Sequence, residues 1–544
     1  MVSSETKVSP KAKDTHDSLA PPTAIDTHDH QKTLGHGASS LGPELTVREA
    51  FQQHRQAAFW AAWFIIPNAV IGYDATTLGN LVGLPQFRKD FGYESPPGSG
   101  SFTLSASWTA AFPYAHIIGF CLGPLWAGWC TDRFGPKKTL LGCTATSCLT
   151  LLIQIFGRNA AVIFAGAVLT GLVTGSFPAL GPAYISEILP VSLRGIGLAA
   201  NNLAQVAGSF ISVGVLRGTE GLSNKWAYKI PFITEYAFPA MFIMGAVFAP
   251  EAPWFLVKKG RYHQAATSLR RTGYACDTEL IVTHMKDTIQ REEQYANSTT
   301  YLDCFKGTNL RRTTIASICY SGQFLSGINV ATSYSTYFFQ LAGIESSQAF
   351  NLSLGLFGLG IFGNILSWPM LQIWGRRAGY ISTCLATTLV MFLVGFLDLA
   401  PRSNNAAIYA KSVMLIIFYF LYNCGLGPLV YAIIAEIPST KIRGQTLGVA
   451  ASVSHIFSLS ITAGLPYAMS PTEGNWGGKI GFLFGGLGTL LFIWAFLCLP
   501  ETKNRTFEEI DYLFRRKTSA RKFSSALIEL EDLTVIEGQS ADIG

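Results

Sequence analysis

Two kinds of residue in this sequence have the means to do chemistry. Asp74 is an acid inside a long apolar run, preceded by Gly72-Tyr73 and followed within a turn and a half by Gly79. An acid at the centre of a bilayer costs about 2.5–3.5 kcal/mol on insertion scales. It is tolerated there when protonated, paired or facing water, and a carboxyl that alternates between such surroundings can carry a proton. Gln323 and Asn329 lie in another apolar run, with Gly327 between them. Both amides donate and accept, as a hydroxyl-rich ligand does. Their spacing does not put them on one strict face of a regular helix, so a kink or local unwinding at Gly327 must turn both toward one cavity.

Charged residues form a second pattern. Glu187 and Arg194 are seven apart with Pro190 between them, and Glu436 and Arg443 are seven apart with Pro438 between them, at an offset of 249. Gly135-Pro136-Lys137-Lys138 is echoed by Gly375-Arg376-Arg377 at an offset of 240, and Pro250-Glu251 by Pro500-Glu501 at 250. Three matches at nearly one spacing imply an internal duplication. Parallel repeats place a substrate site between the halves, near the membrane midplane.

The elements that must position these residues follow from composition. The 544 residues are 49% hydrophobic and only 14% charged, with mean hydropathy +0.30. Soluble domains run near 25% charged, so a disordered chain is excluded and a soluble enzyme disfavoured. A net charge of +6 with no long basic block gives no grip on nucleic acid. Apolar runs long enough to cross a hydrocarbon core as helices fall near 57–81, 104–131, 139–157, 160–186, 195–217, 232–249, 313–341, 348–373, 379–400, 408–435, 445–469 and 480–499. With this map, 31 of the 40 Lys and Arg lie on one face, which is expected to be cytoplasmic and to hold both termini.

Residues 1–56 read as a disordered cytosolic tail without a signal peptide, 57–250 as one six-helix half, 251–312 as a cytosolic helical linker, 313–500 as the second half and 501–544 as a cytosolic tail. The ten cysteines are scattered, most of them in apolar runs, without metal-ligand or scaffold spacing. The stretches Asp14–Asp17 and Asp26–Asp29 read as solvated tail rather than metal ligands. Asn297-Ser298-Thr299 fits a glycosylation acceptor but falls on the cytoplasmic side. No nucleophile–base pair, metal cluster or phosphate loop appears, so no enzyme and no cofactor is expected.

The motifs resemble those of the major facilitator superfamily, in its sugar porter branch. They are Gly72-Tyr73-Asp74, the loop Gly128 to Lys138 with Asp132-Arg133 and Gly135, Ser186-Glu187 to Arg194-Gly195, Pro250-Glu251, Gln323 with Ser326-Gly327-Ile328-Asn329, Gly427-Pro428, Glu436-Ile437-Pro438 and Pro500-Glu501-Thr502-Lys503. A narrower similarity, to fungal α-glucoside (maltose-type) proton symporters, rests on Ala249 to Lys259, Cys304 to Gly307, Tyr334 to Phe339, Asn475 to Lys479 and Arg505-Thr506-Phe507. Departures are Pro136 for an Arg, Gln372 for an acid, Asn202 for a Gln and Phe324 for a second Gln. Ile71 and His116 stand near positions where maltose-type proteins often carry acids.

The resemblance implies an all-α integral membrane protein, twelve transmembrane helices in two parallel-repeat six-helix halves. It implies a plasma-membrane secondary transporter that imports a sugar, an α-glucoside disaccharide such as maltose, by proton symport with alternating access. A hexose or polyol facilitator and a non-transporting sugar sensor are the alternatives. Asp74 would couple the proton, and Asn202, Tyr334, Tyr431 and His455 would join Gln323 and Asn329 around the sugar. Asp132, Arg133, Glu187, Arg194, Arg377, Glu436 and Arg443 would form ion-pair networks that shut the inner gate in the outward-facing state. The expected partners are the sugar, protons and the lipid bilayer, with the protein a monomer.

Overall fold

The computed structural model describes residues 47–94, 98, 100, 102–274, 278–296, 300–401, 404–439, 442–503, 505, 507–524 and 526. All belong to the unit Leu45–Gly544. The Asp14–Asp17 and Asp26–Asp29 stretches and Asn297-Ser298-Thr299 lie outside them.

Helical columns follow one another in the order the apolar runs predict, and twelve are seen among the described residues. The first six are Arg55–Asn80, Ala106–Phe134, Pro136–Phe156, Ala160–Ile188, Val191–Thr219 and 226–246. The second six are 307–341, Ser346–Trp374, Arg376–Leu397, Asn405–Glu436, Arg443–Met469 and Ile480–Cys498. Nine are long and apolar enough to cross a membrane. The other three are the first, sixth and seventh, and each departs for a physical reason. The first buries Asn68, Asp74, Thr76, Thr77 and Asn80. The sixth is split at Tyr236 into Trp226–Glu235 and Ala237–Ala246. The seventh is split into Gly307–Leu325, Ile328–Thr332 and Ser335–Leu341.

Two of these begin earlier than their apolar runs. The sixth starts at Trp226 because a helix accommodates Lys229, which interrupts the apolar pattern ahead of the run. The seventh starts at Gly307, and Arg312 within it is buried rather than solvated. Its guanidinium pairs with Asp511 of the helix Phe507–Arg515 and lies 4.4 Å over the Phe514 ring.

Small residues let helices approach closely, the usual packing device where lipid removes the hydrophobic drive between them. A Cβ on Gly72 would sit 1.8 Å from the Gln205 carbonyl oxygen, and one on Gly208 2.0 Å from that of Ala69. The first and fifth columns are thereby locked, with Asn68–Asn201 at 2.7 Å and Thr76–Ser209 at 2.8 Å across the seam. Large apolar side chains such as Leu125, Phe156, Phe362 and Ile373 are exposed on the outside of the bundle, where lipid would cover them.

The duplicated motifs meet one another. Gly135 and Gly375 have φ of 90° and 83° and turn the chain from one column into the next. Glu251 Oε1 then accepts from the backbone N–H of Lys137 at 3.1 Å. Glu501 accepts from those of Arg376 and Arg377 at 2.8 and 3.0 Å. Each acid caps the first turn of the third or ninth column, where amides lack partners and the helix dipole is positive. Between the halves, Pro253–Lys258, Tyr262–Arg271 and Thr278–Ala296 are short helices around Leu256, Val257, Ala265, Leu269, Val282 and Met285.

Candidate functional site

Asp74 is fully buried in the first column. His116 of the second column points at it, with Nε2 3.2 Å from Asp74 Oδ2 and 3.1 Å from Thr174 Oγ1 of the fourth. Neither oxygen of Asp74 makes a well-directed hydrogen bond among the described residues, so its contact with the ring is a close electrostatic approach. A second acid shares this interior. Glu235, at the break in the sixth column, is fully buried, makes no hydrogen bond through either oxygen among the described residues, and lies within electrostatic range of Asp74. The Tyr73 hydroxyl donates to the Pro231 carbonyl at 2.7 Å, which fastens the first column to that broken segment. Sequence reasoning missed Glu235, although the signal was the same as for Asp74: an acid within an apolar run.

The seventh column breaks at Gly327, whose φ of 94° is a left-handed conformation that favours glycine. The break sends its polar residues to different neighbours. Gln323 accepts from the Tyr422 hydroxyl at 2.6 Å, and Tyr422 begins the π-turn Tyr422–Leu426 of the tenth column. Asn329 donates to Thr462 Oγ1 at 2.5 Å, and the Tyr334 hydroxyl donates to the Thr462 carbonyl at 3.0 Å. Gln323 is thus held on the tenth column, while Asn329 and Tyr334 are held on the eleventh.

Other residues keep hydrogen-bonding capacity in reserve. Asn202 Nδ2 is buried without a partner among the described residues. Tyr431 is 42% exposed although it sits deep in the bundle beside Tyr320, so it lines internal space open to solvent. His455 meets Phe120 edge-on at 5.6 Å across the two halves. Asn364 of the eighth column was not foreseen. It is buried, and both its amide atoms lack partners among the described residues. Buried amides without partners suit a ligand that brings its own hydroxyls.

The charges at the linker end have partners in their own half and in the linker. Arg376 grips Glu436, with Nη2–Oε1 at 2.8 Å and Nε–Oε1 at 3.1 Å, and Thr502 Oγ1 donates to Oε2 at 2.5 Å. Arg443 donates to the Ala435 carbonyl, and Arg377 to those of Leu499 and Phe496. In the first half, Asp132 pairs with Lys258 at 3.1 Å where both are exposed, and Arg133 lies over Trp129 and Phe134. Glu187 faces the amides of Trp254 and Phe255. Arg194 Nε has no partner among the described residues, and Arg194 lies within electrostatic range of Arg443. Burial holds the Glu251 carboxyl above its ordinary range, against the opposing pull of the Lys137 and Ala252 amides and the Lys137 charge.

The opposite end is closed. Asn80 Oδ1 accepts from the Thr336 amide at 3.0 Å and from Ser335 Oγ at 3.3 Å, joining the first and seventh columns. Gln340 Nε2 donates to the Gly83 carbonyl at 2.9 Å.

The profile of the family described as "Sugar (and other) transporter" matches residues 60–514. The chain belongs to that family. It is 33% identical to the maltose permease MAL31 of Saccharomyces cerevisiae over 89% of its length and 80% of that protein's. It is 32% identical to the yeast alpha-glucosides permease MPH3, over 89% of this chain and 82% of the relative. Its fold is that of the xylose transporter XylE from E. coli in a partially occluded inward-open conformation. That match has a TM-score of 0.69 and 18% identity, and covers 83% of this chain and all of the other. The family and the major facilitator fold read from the motifs are therefore correct.

Proposed function

We propose that the protein is a monomeric plasma-membrane symporter that imports an α-glucoside such as maltose together with a proton, with both termini in the cytosol. The substrate class rests on similarity to the yeast permeases along nearly the whole chain. The observation that carries the coupling is the unbonded, fully buried Asp74, with Glu235 in its electrostatic range. Two neighbouring carboxyls in a low-dielectric interior are tolerated when protonated, so they take up protons where the cavity meets outside water and release them where it meets the inside.

The sugar contacts follow from the same geometry. Gln323, Asn329, Asn202, Tyr431, His455 and Asn364 supply donors and acceptors to hydroxyls, and Tyr334 braces the break in the seventh column. The closure at Asn80 fits a state turned toward the cytosol. Asp132, Arg133, Glu187, Arg194, Arg377, Glu436 and Arg443 are the charges that re-pair when that end closes.

The test is uptake of labelled maltose and a panel of hexoses in yeast lacking its own α-glucoside transporters, with external pH recorded. Maltose uptake with alkalinisation of the medium is expected, and Asp74→Asn should abolish both accumulation and the pH change. Uptake without proton movement would make the protein a facilitator.

A further inference from the structure

The second column places an imidazole against the carboxyl that most needs a partner. His116 is almost as deeply buried as Asp74, and its Nε2 has two oxygens within reach, Asp74 Oδ2 at 3.2 Å and Thr174 Oγ1 at 3.1 Å. The ring is fixed from behind. A Cβ on Gly171 would lie 2.2 Å from the His116 carbonyl oxygen, so the second and fourth columns hold His116 and Thr174 at one separation. Phe120 covers the ring at 5.7 Å. The other titratable groups around the pair are Tyr73, Glu235 and, beyond Phe120, His455. Tyr73 spends its hydroxyl on Pro231, and Glu235 has no hydrogen-bond partner among the described residues. Among the described residues, the fourth column meets the ring through the Thr174 hydroxyl, whose other contact is the Gly171 carbonyl at 3.5 Å.

We propose that His116 is a positioning residue that shares the transported proton with Asp74. This deepens the proton-coupled reading above and rests on it. With one proton, the pair is neutral overall and compatible with burial. The proton bonds to Asp74 Oδ2 and Nε2 accepts from that carboxyl. Without it, the pair carries one negative charge, which is costly in the interior and is relieved only when water enters. The proton comes from outside water and leaves to inside water, and the O–H bond to it is the only bond made and broken. Once it has gone, Nε2 turns to accept from Thr174 Oγ1, so the imidazole keeps a partner in both states without changing tautomer. His116 therefore steadies the loaded pair, and Thr174 steadies the empty one.

The experiment uses the full chain in proteoliposomes and follows maltose-driven proton uptake as a function of pH for wild type, His116→Asn and Thr174→Val. Coupled sites titrate as a unit, so removing one of the two bases should move the alkaline limb toward lower pH, by about one unit. Removing the partner of the empty state should move it toward higher pH. A lower rate at every pH with both limbs unmoved would reduce His116 to packing and overturn the assignment. Maltose transport by wild type with no proton movement would instead overturn the symport reading itself, and the shared proton with it.

Discussion

Asn80 and Thr336 lie 256 positions apart, and the side-chain oxygen of the first accepts the backbone N–H of the second at 3.0 Å. Asn80 is fully buried at the end of the first column, and it also donates to the Thr76 carbonyl at 3.0 Å and the Thr332 carbonyl at 3.5 Å. One side chain thus reaches three residues of the broken seventh column, two through Oδ1 and one through Nδ2. A Cβ on the neighbouring Gly79 would sit 2.2 Å from the Ser333 carbonyl oxygen, which brings the two backbones into contact at this end.

Asn80→Ala should loosen that closure. Each hydrogen bond contributes about 0.5–1.5 kcal/mol net, and about 1.4 kcal/mol is a tenfold change in a two-state equilibrium. A cysteine placed at Thr332 should then react roughly ten times faster with an external impermeant maleimide. An unchanged rate would mean that the backbone contact at Gly79 holds the end shut without Asn80.

Gln323 and Tyr422 give a graded pair. Gln323→Ala removes an amide buried among the candidate sugar contacts and should weaken maltose binding by about 1–3 kcal/mol. Tyr422→Phe removes only the bond that orients Gln323, so it should cost less, about 1 kcal/mol. Equilibrium binding of labelled maltose to the purified protein separates the two. A larger loss for Tyr422→Phe would transfer the sugar contact to the tyrosine.

The charges at the linker end are read best as a network. Arg376 and Glu436 meet through several hydrogen bonds while both stay partly exposed. Such pairs are worth little singly, but bidentate geometry and the Thr502 hydroxyl raise the coupling. A double-mutant cycle of Arg376→Gln and Glu436→Gln on thermal stability in detergent should show a coupling of about 0.5–2 kcal/mol. Additive losses would leave the two side chains independent.

Fold and site were legible to different depths. The duplicated motifs were visible as sequence, and the structure brings them together as Glu251 on Lys137 and Glu501 on Arg376. Hydropathy found the apolar columns because lipid-facing residues dominate their composition. It placed the starts of the sixth and seventh too late because Lys229 and Arg312 are charged yet helical, and Arg312 is matched by Asp511, 199 positions away. The need for a break at Gly327 was readable from six-residue spacing. That Gln323 and Asn329 would then bond to different columns was not, since it depends on Tyr422 and Thr462. Asp74 stood out alone, whereas its neighbours His116, Thr174 and Glu235 come from three other columns. A pairing that exists only in the packed bundle leaves no spacing to read.

The last prediction concerns pH at the linker end. Burial raises the Glu251 carboxyl above its ordinary value of 4.5. A carboxyl raised on folding binds its proton more tightly in the folded state. Its contribution is therefore full below the ordinary value and is lost as pH rises through the raised one. Acidification from pH 7.5 toward about 5 should stabilise the wild type more than Glu251→Gln, which cannot titrate but still offers an oxygen to the Lys137 amide. At neutral pH the Gln variant should melt at the same temperature or slightly higher, because it avoids the buried charge. The comparison of melting curves for the two proteins across that range isolates this group from the other titrating residues, which both proteins share. A Gln variant that melts lower at neutral pH with an unchanged pH slope would show that the amides of Lys137 and Ala252 outweigh the cost of burial.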